Sequence, residues 1–213
     1  MIPQLYAVLD ADVALRAGWT LVDLASACFA GGARFVQIRA KGMPSGQLFD
    51  VASAVETLAR QAGARLIVND RADVARLVGA AGVHVGQEDL DPAAARTVVG
   101  AEAIVGVSTH TPVQWEAAVM APVNYVAVGP IFGTVTKETG YEAVGLETVR
   151  LASQATGSHG LPLVAIGGIT LDRAADVLGA GASAVAVISD LLATGDPAAR
   201  VREYLERLYN SAA

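Results

Sequence analysis

The sequence predicts an α/β chain folded as a single (β/α)8 barrel of parallel strands, occupying residues 1–213 as one domain, and three observations point there. Short apolar runs alternate eight times with stretches of helical periodicity. Most of those runs are near-continuous Val, Ile, Leu and Ala, as in strands covered on both faces of a parallel sheet. The length of 213 residues suits one such barrel with short loops, which needs ~200 to 250. A doubly wound open sheet is the other topology open to eight strand–helix units. Length favours the closed barrel, and no composition break or low-complexity linker marks a second domain.

The elements follow in order. The first strand, Leu5 to Asp10, leads into helical sequence that stops at Gly31-Gly32. The second, Phe35 to Arg39, is followed by Ser45, placed to cap a helix whose apolar stripe is Leu48, Val51, Ala52, Val55 and Leu58. Leu66 to Asp70 is the third strand, and Gly79 ends the helix after it. Val83 to Gly86, Ile104 to Ser108 and Tyr125 to Gly129 are the fourth, fifth and sixth. Leu163 to Gly167 is the seventh; its helix is capped by Thr170 or Asp172, carries Ala174, Ala175, Val177 and Leu178 on one face, and stops at Gly179 to Gly181. Ala184 to Ser189 is the eighth.

Composition excludes several functions. A net charge of -6 and a pI near 5.0 leave no basic stripe for a nucleic-acid backbone. Mean hydropathy is high at +0.44, yet no 18-residue uncharged run exists, so no membrane span is expected. Cys28 is the single cysteine, cannot form an internal disulfide and lies in an apolar helical stretch, where packing is its expected role. With no signal-peptide pattern at the N-terminus, a cytoplasmic protein is expected. Three scattered histidines and one cysteine make no zinc constellation.

In this architecture chemistry gathers where strands end and βα loops begin. Those positions read Gln37-Ile38-Arg39-Ala40-Lys41, Asn69-Asp70-Arg71, Gly86-Gln87-Glu88-Asp89, Ser108-Thr109-His110, Gly167-Gly168 and Ile188-Ser189. The sixth strand delivers Gly129-Pro130-Ile131-Phe132-Gly133-Thr134-Val135-Thr136-Lys137, a loop of glycines, hydroxyls and one ammonium group suited to an anion. Asp70 and Asp89 sit on adjacent loops, as a divalent cation held by one or two carboxylates requires. N-capping is their alternative, since each precedes a helix.

These motifs, spanning residues 37 to 189 and seven of the eight units, resemble thiamine phosphate synthases. The motifs that carry the resemblance are Gln-Ile-Arg-x-Lys, Val-Asn-Asp-Arg, Val-His-Val-Gly-Gln-Glu-Asp-Leu, Gly-Val-Ser-Thr-His, Gly-Pro-Ile-Phe-x-Thr-x-Thr-Lys, Val-Ala-Ile-Gly-Gly-Ile and Val-Ile-Ser. The resemblance implies a TIM barrel that joins hydroxymethylpyrimidine diphosphate to thiazole phosphate with one Mg2+ per subunit, and a homodimer. It implies Asp70 and Asp89 as metal ligands. Arg39, Lys41, Ser108 and Lys137 become the catalytic candidates, and Gln37, Ile38, Ala40 and Asn69 join them around the pyrimidine diphosphate. Thr134, Val135 and Thr136, with Gly167, Gly168, Ile188 and Ser189, are expected on the thiazole phosphate.

Two positions depart from the family pattern. Ala40 stands where many relatives carry an acidic residue, and residues 138 to 144 lack a common proline. His84, alternating with Val83 and Val85, is expected to be a hydrogen-bonded interior residue. His110 lies near the mouth and gives some appeal to a thiazole tautomerase of the same superfamily, which departs at the metal-binding aspartates. A non-enzymatic thiazole-phosphate sensor is the other alternative. Trp19, Trp115 and Val201 to Tyr209 are read as packing or association surfaces.

Overall fold

The computed structural model describes residues 2–133 and 143–211. Eight parallel strands follow one another around a closed barrel: β1 (Leu5–Asp10), β2 (Phe35–Arg39), β3 (Arg65–Asn69), β4 (Gly82–Val85), β5 (Ile104–Thr109), β6 (Tyr125–Val128), β7 (Leu163–Ile166) and β8 (Ala184–Val187). β8 pairs back onto β1, Leu5 opposite Val185, so the sheet has no free edge. Helices α1 (Ala11–Arg16), α2 (Leu21–Ala30), α3 (Ser45–Gln61), α4 (Ala72–Val78), α5 (Pro92–Val99), α6 (Pro112–Ala118), α7 (Gly145–Gly157) and α8 (Leu171–Gly179) lie between strands. A 3-10 turn (Ser189–Leu192) and α9 (Pro197–Ser211) complete the chain. No helix among the described residues is long and apolar enough to cross a membrane.

Alternation along the strands divides the core in two. Tyr6, Val8, Phe35, Ile67, Tyr125 and Val164 fill the barrel, while Leu5, Ala7, Leu9, Val36, Ile38 and Val68 face the helices. The α3 stripe reaches that outer layer through Leu48, Ala52 and Val55, and Cys28 and Trp115 are buried in it. Burial pushes the Cys28 thiol up to about 12, so it packs as a neutral group. Val201, Tyr204 and Leu208 of α9 pack there too.

The strands end earlier than their apolar runs suggest in five units, and backbone geometry explains why. Asp70, Gly86, Gly129, Gly167 and Ile188 all lie past their strands. Asp70 takes φ 62°, the only described non-glycine residue at positive φ, and Gly167 takes φ 101°, neither compatible with a strand. Ser189 opens the 3-10 turn instead. β5 runs one residue longer, because Thr109 still pairs with Val128. Ser45 does not cap α3: Pro44 holds the cap position, and the Ser45 hydroxyl accepts from Arg71 Nη1 at 2.9 Å. Gly79 does stop α4, at φ 69°, and Thr170 holds the α8 cap position.

Candidate active site

All eight strands point their C-terminal ends at one mouth, and two cavities among the described residues lie at strand ends there. The smaller, about 250 Å³, lies over β2 and β3 and is lined by Ala40, Lys41, Gly42, Met43, Leu48, Asn69, Asp70 and Arg71. The larger, about 430 Å³, lies over β5 to β8, with Ser108, His110, Gly129, Gly133, Gly167, Gly168, Arg173, Ile188 and Ser189 in its wall.

The smaller cavity is built on a constrained turn. Arg71 N–H donates to Asn69 O at 2.7 Å, closing a γ-turn with Asp70 at its centre, and Asp70 N–H donates to His84 O on the neighbouring strand at 2.8 Å. Positive φ at a non-glycine residue is a strained position of the kind found at functional sites. Neither aspartate caps a helix. Arg71 holds the cap position of α4, while Asp91 caps α5 by accepting from Ala93 and Ala94 N–H at 2.9 and 3.0 Å. Asp89 instead accepts from Gly86 N–H at 2.8 Å, which turns its loop back toward Asp70.

The two carboxylates come within hydrogen-bonding reach of each other, and Lys41 Nζ sits 3.4 Å from Asp70 Oδ2. Burial first, then the Asp89 carboxylate, push the Asp70 carboxyl up to about 6, against the pull of Lys41. Such a pair is a hard-oxygen donor set under-supplied with positive charge, and it fits Mg2+. Among the described residues no group of three or more His, Cys, Asp or Glu is placed to hold a metal. Water and the oxygens of a bound ligand would therefore have to complete the shell.

Arg39 is fixed from below. Its Nη1 donates in a short ion pair to Asp10 Oδ2, and Asp10 is 3% exposed at the end of β1. Asp10 also caps α1, accepting from Asp12 and Val13 N–H at 3.1 Å. Arg39 Nε is the one buried side-chain polar atom, among the described residues, that has no partner. Ile38 points its side chain into the outer layer. Gln37 points into the barrel and donates to the Tyr6 hydroxyl at 2.6 Å.

Two glycines shape the larger cavity. A Cβ on Gly167 would stand 2.5 Å from Pro130 Cα, and one on Gly168 would stand 2.7 Å from Gly133 O. The β7 loop can close against the β6 loop only without side chains there. Gly167 O accepts from Phe132 N–H at 3.0 Å, and Gly168 O from Arg173 Nη1 at 3.1 Å. Arg173 also lies over the Phe132 ring, 4.6 Å from its centroid. Beyond them Asp190 accepts from Leu171 N–H, Arg200 and Tyr204, holding the 3-10 turn against α8 and α9. His110 Nδ1 lies 2.5 Å from the Gly129 carbonyl. Thr134, Val135, Thr136 and Lys137 fall outside the described residues.

Lys41, Asn69 and Asp70, with Ala40, line the smaller cavity; Gly167, Gly168, Ile188 and Ser189 line the larger, and Ser108, expected with the first group, lines the larger too. Gln37, Ile38, Arg39 and Asp89 are in the lining of neither. Sequence reasoning passed over Asp10, Arg173 and the interior tyrosines Tyr6 and Tyr125.

A family profile described as thiamine monophosphate synthase matches residues 5–191. The chain belongs to that family. It is 43% identical to the thiamine-phosphate synthase of Koribacter versatilis over 98% of this chain and 97% of the relative. Its identity to that of Moorella thermoacetica is 40%, over 95% and 94%. The thiamine phosphate pyrophosphorylase structure from Pyrococcus furiosus superposes with a TM-score of 0.88 at 28% identity, covering 99% of this chain and 97% of that one. Membership of the thiamine monophosphate synthase family thus rests on all eight strands, including β1, which lies outside the motifs.

Proposed function

We propose that the chain is a thiamine-phosphate synthase, joining 4-amino-2-methyl-5-hydroxymethylpyrimidine diphosphate to thiazole phosphate and releasing pyrophosphate. The observation that carries the reading is the Asp70–Asp89 carboxylate pair beside Lys41, set next to a separate cavity that ends in the Gly167-Gly168 turn. The diphosphate belongs at the first and the thiazole phosphate at the second.

Asp70 and Asp89 would hold one Mg2+ per subunit, which would supply Lewis-acid stabilisation to the diphosphate when bound. Arg39 and Lys41 bring positive charge to the same oxygens, and Lys137 is assigned with them. Ser108, in the wall of the larger cavity, adds a neutral donor from that side, while Gln37 and Asn69 orient the pyrimidine. The carbon–oxygen bond at the methylene breaks with its electron pair leaving on pyrophosphate. The aminopyrimidine ring shares the resulting positive charge, and the thiazole nitrogen lone pair closes the new carbon–nitrogen bond. The step needs donors fixed in advance, not a strong base. Holding both partners side by side lowers the barrier by up to ~7 to 11 kcal/mol in the best-oriented cases.

At the other end Thr134, Val135 and Thr136, with Gly167, Gly168, Ile188 and Ser189, take the thiazole phosphate. Arg173 adds a cation there. Homodimerisation and a cytoplasmic setting belong to the same reading, on the strength of the resemblance and the single buried thiol. A histidine-based tautomerase has less support, since it leaves the carboxylate pair unused.

The test is purified protein with both substrates and Mg2+, following thiamine phosphate and pyrophosphate. Metal-dependent formation of both, lost with EDTA and in Asp89→Ala, is the expected result. Absence of product with thiazole phosphate still bound would overturn the reading in favour of an isomerase or sensor.

A further inference from the structure

Five polar side chains from five strands form one hydrogen-bonded chain through the barrel. Gln37 Nε2 donates to the Tyr6 hydroxyl at 2.6 Å, and the Tyr6 and Tyr125 hydroxyls lie 3.0 Å apart. Tyr125 lies 2.9 Å from His84 Nδ1, and His84 Nε2 lies 2.8 Å from Ser108 Oγ. Packing fixes the rings: Tyr125 stacks on His84 at 18° between planes, and Tyr6 meets Phe35 at 4.4 Å. Gly106 makes the crossing possible, since a Cβ there would stand 2.0 Å from Tyr125 Cζ.

Counting hydrogens gives the chain a direction. Both phenols are fully buried, and burial raises their pKa, so each is neutral and carries one hydrogen. The Tyr6 oxygen already accepts from Gln37. If Tyr125 also donated to it, the Tyr6 hydrogen would be left buried with no acceptor, an arrangement proteins avoid. Tyr6 therefore donates to Tyr125, and Tyr125 donates to His84 Nδ1. The imidazole hydrogen is then on Nε2 and donates to Ser108 Oγ.

We infer that Tyr6, Tyr125 and His84 are positioning residues that hold His84 as the Nε2–H tautomer, so that the Ser108 hydroxyl keeps its own hydrogen free to donate to an anionic oxygen in the mouth. This polarity is the reverse of a serine activated by histidine as base. It makes Ser108 a donor and leaves His84 unable to act as its base. That the anion is the departing diphosphate rests on the synthase reading; the tautomer does not.

Long-range 1H–15N correlation on histidine-labelled, full-length protein without substrate reads the tautomer, the His84 signals being identified by their loss in His84→Asn. The expected spectrum has the hydrogen on Nε2; a hydrogen on Nδ1, or on both nitrogens, overturns the proposal even if thiamine phosphate is made. The second arm is a double-mutant cycle in kcat. Tyr125→Phe is expected to lower kcat about 10-fold, with KM for either substrate within about twofold. In a Ser108→Ala background it should cost less than about twofold. An equal loss in both backgrounds means that Tyr125 only packs, and overturns it. Should the variants fail to fold or no turnover occur, the wild-type spectrum decides alone, so failure of the synthase reading stays distinguishable.

Discussion

Replacing Asp70 by Asn should stabilise the metal-free protein while abolishing turnover. Asn keeps the shape of the side chain and its tolerance of the φ 62° backbone, and removes only the charge. The Asp70 carboxyl rises from 3.8 to about 6 through burial and the Asp89 carboxylate. Unscreened, that rise is worth about 3 kcal/mol against folding once the group is ionised. The side chain keeps 21% of its surface, so solvent screening reduces the figure to about 1 to 2 kcal/mol. The sign follows from proton binding. Between ~pH 4 and about 6 the folded chain holds the Asp70 proton while the unfolded chain releases it, so stability falls as pH rises and is level above that window. Thermal unfolding in EDTA should therefore show Asp70→Asn melting ~2 to 8 °C above wild type at pH 7.5, with the gap closing toward pH 4. A variant no more stable than wild type at pH 7.5, or a gap that does not change between pH 4 and 8, would refute the reasoning. The gain in stability marks charge kept in place for function.

Titration calorimetry should find weak Mg2+ binding to the free protein, tightening at least ~10-fold with pyrophosphate present, because two carboxylates complete too little of an octahedral shell; equal affinity with and without pyrophosphate would argue against a shared site. Asp10→Asn keeps the α1 cap but leaves the Arg39 guanidinium largely buried without its counter-charge, so about 3 kcal/mol of stability should go in urea unfolding, together with affinity for the pyrimidine diphosphate. Gly168→Ala puts a methyl against Gly133 O and Phe132, and KM for thiazole phosphate should rise ~10-fold or more while that for the diphosphate holds. Unchanged steady-state kinetics there would place the thiazole phosphate elsewhere.

The barrel was legible because its evidence is repetitive: buried parallel strands write themselves as apolar runs, and a turn residue closes each. The same property hid the interior. With both faces of β1 and β6 apolar, nothing in those runs says that Tyr6 and Tyr125 point inward while Leu5 and Val126 point out. One signal was available. Gly106, opposite Tyr125 in the β5–β6 register, is a glycine in the middle of a strand, which marks the close approach of another group. Asp10 was read only as the last residue of the first strand; one of its oxygens caps α1 and the other holds Arg39, a contact between strands that no local pattern records. Ser45 misled for the converse reason: Pro44 takes the helix start, leaving the hydroxyl to Arg71. Asp70 was singled out by residue type and position, but its left-handed backbone depends on the turn between Asn69 and Arg71 and on His84 O, contacts made only when β3 and β4 pair.

Asp190 gives the C-terminal helix a task beyond covering the barrel seam. Its carboxylate, immediately after Ser189, is gripped by Arg200 and Tyr204, so α9 is fastened to the floor of the larger cavity as well as to the outer layer. A chain cut before Pro197 would lose that grip at the end assigned to the thiazole phosphate while leaving the Asp70–Asp89 end untouched. The two substrates would then respond differently to the same truncation: the tail of the sequence works as a tensioning strap for one of them, and loosening it should appear as selective loss of the acceptor before the barrel melts.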